Sequence, residues 1–186
     1  MYFSAHMLNK LFSVLLLIPI LPVIIIFSFY ILIVDGSPVI YKQKRSGRNN
    51  STFNIYKLRT MKKNTPDLAT DKLSVKSFYP GAKIIRKLSI DELPQLINII
   101  KGDINFIGPR PALYNQYKLI NERHKLGISK LKPGITGWAQ VNGRDKISEK
   151  DKIKLDYYYL KNKSFKLNCI ILIKTIYNVI TVKDIN

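Results

Sequence analysis

The stretch "LSIDELPQL" sets two carboxylates side by side, Asp91 and Glu92, in a chain with 31 Lys and Arg against 12 Asp and Glu and a formal net charge of +19. Such a pair has three plausible uses. A carboxylate near phosphates can bind Mg²⁺. It can attack phosphorus and form an acyl-phosphate. Or it can open a helix, because acids are favoured in a first helical turn. Ser89-x-x-Glu92 fits the capping-box pattern. Taking Asp91 as the cap instead moves Pro94 into the first turn, where a missing N–H costs little. Local sequence alone favours a cap over chemistry.

The neighbours add phosphate chemistry. Arg86 lies five residues before Asp91, and Arg110 nineteen after it in "GPRP". Pro109 and Pro111 restrict the backbone on both sides of Arg110, so its guanidinium is held. Two arginines can clamp a diphosphate through bidentate contacts.

These groups need elements to position them. "PVIYKQKR" and "FNIYKLR" are β-rich runs around the polar "SGRNNST", which predicts an antiparallel hairpin over 38–60. "KKNTPDLATDKLSVKSF" is polar and predicts a loop. "DELPQLINIIKG" predicts a helix with apolar positions 93, 96, 97, 99 and 100 and a stop at Gly102. "YNQYKLINERHKLGISKL" is helical in pattern, whereas "KPGITGWAQVNGR" is Gly-rich and predicts a rigid loop. Two further helices follow in "SEKDKIKLDYYYLKN", with Ser148 as cap, and "FKLNCIILIKTIYNVI". The fold class is α+β, mainly α.

From Leu11 to Val34 there is no charged residue. As a helix that run is about 36 Å long, enough for a hydrocarbon core of about 30 Å. It ends in "DGSP" without a small-x-small cleavage pattern, so it is a retained anchor over 1–35, followed by a second unit over 36–186. Lys10 alone among the basic residues precedes Asp35. The positive-inside rule then places the bulk of the chain in the cytoplasm. Pro19 and Pro22 break helical hydrogen bonding near the middle of the anchor. A kinked spanning helix and a re-entrant hairpin both fit. The lone Cys169 forms no internal disulfide and suits a reducing compartment.

Taken in order, "KQKRSG", "FNIYKLRTM", "KIIRKLSIDELPQLINIIKGDINFIGPRP", "KPGITGWAQVNGR" and "LDYYYLKNKSF" closely resemble the bacterial sugar transferases called monotopic phosphoglycosyl transferases, in their small form. The resemblance spans about residues 36 to 180. It implies transfer of a sugar-1-phosphate from a UDP-sugar to polyprenyl phosphate, usually undecaprenyl phosphate, with release of UMP. That step initiates assembly of capsule, O-antigen, exopolysaccharide or a protein-linked glycan. It also implies a ping-pong course in which Asp91 is the nucleophile, Glu92 the second acid, and Mg²⁺ is bound at the pair. By the same resemblance Arg86 and Arg110 belong to the phosphate site, Lys57 and Arg59 form a basic pair, and Asp156 is a further substrate-site acid. The anchor resembles a re-entrant helix dipping into the inner leaflet of the bacterial cytoplasmic membrane, beside interfacial helices of a compact cytoplasmic domain. Leu21-Pro22 stands where the family often has Ser-Pro, and Asn50 where a second glycine of the hairpin turn is usual. Asparagine also tolerates positive φ.

The alternative reading is a membrane-tethered basic binding or scaffold protein without catalysis. The aromatic residues are not spaced as a stacking platform, so nucleic acid is not an expected partner.

Overall fold

The hairpin forms as its sequence predicts. β1 (Ile40–Ser46) pairs antiparallel with β2 (Thr52–Leu58), with Tyr41 opposite Lys57 and Arg45 opposite Phe53. Asn49 and Asn50 turn the chain with φ of 53° and 60°, a conformation that asparagine adopts more readily than most residues. The computed structural model describes residues 2–63, 65, 77–143 and 147–181, with side chains from residue 7 onward. The expected loop over 62–78 falls mostly outside these; its ends meet where Lys62 N–H donates to Ser77 O.

α1 (Tyr2–Asp35) continues as one helix through Pro19 and Pro22. The break anticipated there does not end the element. Among the described residues α1 is the one helix long and apolar enough to cross a membrane. It lies along the rest of the protein for most of its length. Asn9 Nδ2 donates to Asn105 Oδ1 at 3.3 Å and the Phe12 ring meets Phe106 edge-on at 5.6 Å. Leu16, Leu17 and Ile20 pack on buried Leu96, Ile99 and Ile104. Ile24, Phe27 and Ile31 join Leu58, Tyr79, Ala82 and Ile85 in a second cluster.

Short helix α2 (Ala82–Lys87) precedes the acidic pair. Ser89 sits in the left-handed region (φ 55°) and a single 3₁₀ turn over Ile90–Glu92 follows. α3 (Gln95–Lys101) begins one residue after Pro94 and stops at Gly102, φ 88°. The N-cap of α3 is therefore Pro94, not Asp91 or Ser89. Proline can stand there because the first N–H groups of a helix have no intrahelical acceptor.

Asn98, fully buried on α3, fixes that helix to the hairpin. Its side chain accepts from Tyr56 N–H at 3.0 Å and donates to Asn54 O at 2.8 Å. An amide side chain thus fills the edge of β2 as a neighbouring strand would.

The predicted Gly-rich loop is partly ordered structure. β3 (Asn105–Ile107) and β4 (Gly134–Thr136) form a two-stranded parallel sheet, and α5 (Trp138–Val141) follows. The backbones run unusually close: a Cβ on Gly134 would lie 2.1 Å from Gly108 N. Strands of three residues with glycine at the contact carry little of the alternation that marks a strand. α4 (Tyr117–Lys125), α6 (Glu149–Asn162) and α7 (Phe165–Ile180) complete the protein. Ser148 caps α6 as expected, its hydroxyl accepting from Asp151 N–H. Over the described residues the fold is mostly helical with two small sheets.

Candidate active site

Asp91 and Glu92 are 6% and 9% exposed. Burying two carboxylates requires cations close by. The hairpin supplies one: Lys57 Nζ donates to Glu92 Oε1 at 2.7 Å and lies 3.8 Å from Asp91 Oδ2. The turn after β3 supplies the other: Arg110 Nη2 and Nη1 lie 3.4 and 3.5 Å from the same Glu92 oxygen. Charge-assisted contacts of this kind are stronger than neutral hydrogen bonds.

Each partner is held from behind. Lys57 is fixed by strand pairing and by Asn98 on the neighbouring backbone. Arg110 sits between prolines whose loop is tied at both flanks: Arg45 Nη1 donates to Pro111 O at 3.0 Å and Arg123 Nη1 to Arg110 O at 2.8 Å. Ser46 N–H donates to Ala112 O, joining the end of β1 to the same loop. Arg45, Lys57, Gln95 and Arg110 line one cleft. Two cations on a buried carboxylate pair, Lys57 and Arg110, with Arg45 lining the adjoining cleft, suit a doubly charged phosphate ligand.

Of the residues singled out by sequence, Lys57, Asp91, Glu92 and Arg110 come together. Arg86, at the end of α2, places its guanidinium over the Phe78 ring, 5.3 Å from the centroid. The two others, Arg59 and Asp156, are ion-paired within the fold. Arg59 is buried and binds the end of the anchor. It pairs with the Asp35 carboxylate and donates to the carbonyls of Asp35 at 3.0 Å and Pro38 at 2.6 Å. Asp156 is 1% exposed, and its carboxylate is bound by Arg123 at 2.5 Å. Burial pushes its carboxyl above the ordinary aspartate range while Arg123 pulls it back.

Arg45, Gln95, Asn98 and Arg123 carried no role in the sequence reading. Arg45 stands in the "KQKRSG" motif, which was its one signal; the others become visible only when separate helices are assembled.

Mg²⁺ commonly takes one or two protein carboxylates and completes its shell with substrate phosphates and water. Asp91 and Glu92 fit that donor set. Among the described residues no group of three or more His, Cys, Asp or Glu side chains could hold a metal unaided.

A helix long and apolar enough to cross a membrane packs on a small domain whose buried carboxylate pair lies under lysine and arginine, an arrangement that suits phosphate chemistry. The profile of the bacterial sugar transferase family matches residues 2–182. An uncharacterised sugar transferase of Bacillus subtilis (strain 168), EpsL, is 42% identical over 167 residues, covering 88% of this chain and 81% of that protein. The UDP-N-acetylgalactosamine-undecaprenyl-phosphate N-acetylgalactosaminephosphotransferase of Aeromonas hydrophila is 36% identical, covering 86% of this chain and 40% of that protein. The undecaprenyl-phosphate galactose phosphotransferase of Salmonella typhimurium (strain LT2) is 32% identical, covering 92% and 40%. The chain spans most of the first relative and about two fifths of the other two. It belongs to the bacterial sugar transferase family, and its class of enzyme is the phosphoglycosyl transferases.

Proposed function

We propose that the protein transfers a sugar-1-phosphate from a UDP-sugar to polyprenyl phosphate through a covalent intermediate on Asp91. The carboxylate of Asp91 attacks the phosphorus that carries the sugar. The bond from that phosphorus to the bridging oxygen breaks, and UMP leaves with the oxygen. The phosphate of the lipid then attacks the aspartyl phosphosugar, the carboxylate departs, and the polyprenyl-diphosphate-sugar is released. The observation that carries this reading is the convergence of Lys57 and Arg110 on Glu92 beside Asp91. Cations fixed there offset charge on the transferred phosphoryl group and its leaving group. Mg²⁺, held by Asp91 and Glu92, would supply further charge neutralisation at the diphosphate.

The anchor is proposed to be re-entrant, with both ends on the cytoplasmic side of the membrane. Contacts with the domain occur on both sides of the paired prolines, at Asn9 and Phe12 as well as at Tyr30 and Asp35. A helix standing across a core of about 30 Å would carry one set of these contacts away from the other. α7 is proposed to lie at the interface, since Phe165, Ile173, Ile176 and Ile180 are exposed along it.

The test is a reaction without lipid acceptor. With Mg²⁺ and a panel of UDP-sugars, the protein should release UMP up to about one equivalent and gain the mass of a sugar phosphate on a peptide containing Asp91. UMP release that requires the lipid, with no adduct, would overturn the covalent course.

A further inference from the structure

We infer that the buried Arg123–Asp156 pair is a positioning device for Arg110, and that the two residues act on turnover through it. The inference rests on the phosphate-clamping role proposed for Arg110.

Arg123 comes from α4 and Asp156 from α6, and among the described residues neither helix lines the cleft of Arg45, Lys57, Gln95 and Arg110. Arg123 is 9% exposed and uses its two terminal nitrogens in different directions: Nη2 to the Asp156 carboxylate and Nη1 to Arg110 O. Asp156 therefore fixes the plane of a guanidinium whose other arm grips the main chain of Arg110. On the opposite flank Arg45 is oriented in the same manner, its Nε donating to Gln43 Oε1 at 2.9 Å while Nη1 reaches Pro111 O. Two planar forks, each aimed by an acceptor behind it, thus hold consecutive carbonyls of one turn.

A buried ion pair is a poor stabiliser of a fold. Well-packed apolar replacements of such pairs are often neutral or stabilising, because desolvation offsets the attraction. This pair spans two helices and ends on the carbonyl of the one residue whose guanidinium reaches Glu92 from that turn. Proline on each side removes local backbone freedom, and Arg45 and Ser46 tie the turn to β1 on one flank. Arg123 holds the other flank, fastening the turn to α4 and α6. Displacement of a clamping group by about 1 Å lowers rate on the order of 10²-fold.

The experiment is a cycle of variants in the full chain in membrane mimetic. The double substitution Arg123→Met with Asp156→Leu removes the pair without stranding a charge. Its kcat should fall on the order of 10²-fold, with KM for the UDP-sugar within about twofold and Tm near the parent value. Placed on Arg110→Ala, the same pair of changes should cause no further loss, because residues acting as a unit are not additive. Arg123→Lys keeps a charge for Asp156 but lacks the second arm, and should show the same fall in kcat. It decides the matter if the double variant does not fold. Full kcat in either variant, or an additive loss on Arg110→Ala, would overturn the inference. Deuterium exchange over residues 108–113 reads the same point without turnover: it should quicken in both variants, and unchanged exchange would also overturn it. A wild type that releases no UMP would remove the proposed function and leave this exchange measurement to decide on the pair.

Discussion

Lys57 and Glu92, thirty-five residues apart, meet at 2.7 Å because Asn98 joins the edge of β2 to α3. The lysine is then 3.8 Å from Asp91. Lys57→Met should lower turnover on the order of 10²-fold, as loss of one preorganised donor to a charged transition state does. It should also destabilise the fold by about 1–3 kcal/mol, since a buried carboxylate loses its nearest cation. Steady-state kinetics beside thermal unfolding checks both. Turnover above a tenth of wild type would remove Lys57 from the phosphate site.

Asp91→Asn separates chemistry from structure. The N-cap of α3 is Pro94, so the change spares the helix start. It removes the attacking anion, and activity should fall by several orders of magnitude while Tm stays within a few degrees. The sugar-phosphate adduct should be absent from its peptide map. Retained activity would exclude Asp91 as the nucleophile.

Arg110→Lys should rescue poorly. Lysine keeps the charge but not the planar fork, and bidentate sites do not exchange the two. A loss of at least tenfold in kcat/KM is expected relative to wild type, about 1.4 kcal/mol in transition-state binding. Near-normal turnover would argue that a point charge is enough.

Arg59→Ala should behave differently. Its guanidinium binds Asp35 and the carbonyls that leave the anchor. Breaking a buried pair of this kind costs about 3–5 kcal/mol. Chemical denaturation should report the loss, whereas activity per folded molecule should remain within about threefold of wild type. A collapse of kcat without loss of stability would return Arg59 to the substrate site.

For the anchor, a single cysteine at Leu8, in a Cys169→Ser background, should be labelled by an impermeant thiol reagent only after the inner membrane face is opened. Labelling in intact cells from the periplasm would mean a spanning helix.

The parts of this protein legible in sequence are those with a local signature. The hairpin has its turn residues, α3 has its 3.6-residue period and Gly102, and α6 has Ser148. The dyad's local signature reads as a helix cap; its chemical reading comes from Arg86, Arg110 and the family resemblance, and the structure brings Arg110 to Glu92. β4 reads as part of a Gly-rich loop and β3 as a short apolar run before a turn, because three-residue strands pressed together at Gly108 and Gly134 carry no alternation. Arg59 and Asp156 illustrate the complementary limit. A motif fixes which residue stands at a position, but not whether its side chain faces a ligand or the inside of the fold. That depends on what arrives from elsewhere, the end of α1 for Arg59 and the arm of Arg123 for Asp156.

The clusters that receive α1 are not closed without it. A chain cut before residue 36 would bare the surfaces around Leu58, Tyr79 and Ile85 and around Leu96, Ile99 and Ile104 to water. Proteolysis between anchor and domain would thus not liberate a soluble catalyst. α1 is therefore an internal scaffold as well as a candidate attachment: it precedes in the chain the later helices that pack on it, so their apolar faces have a cover already made.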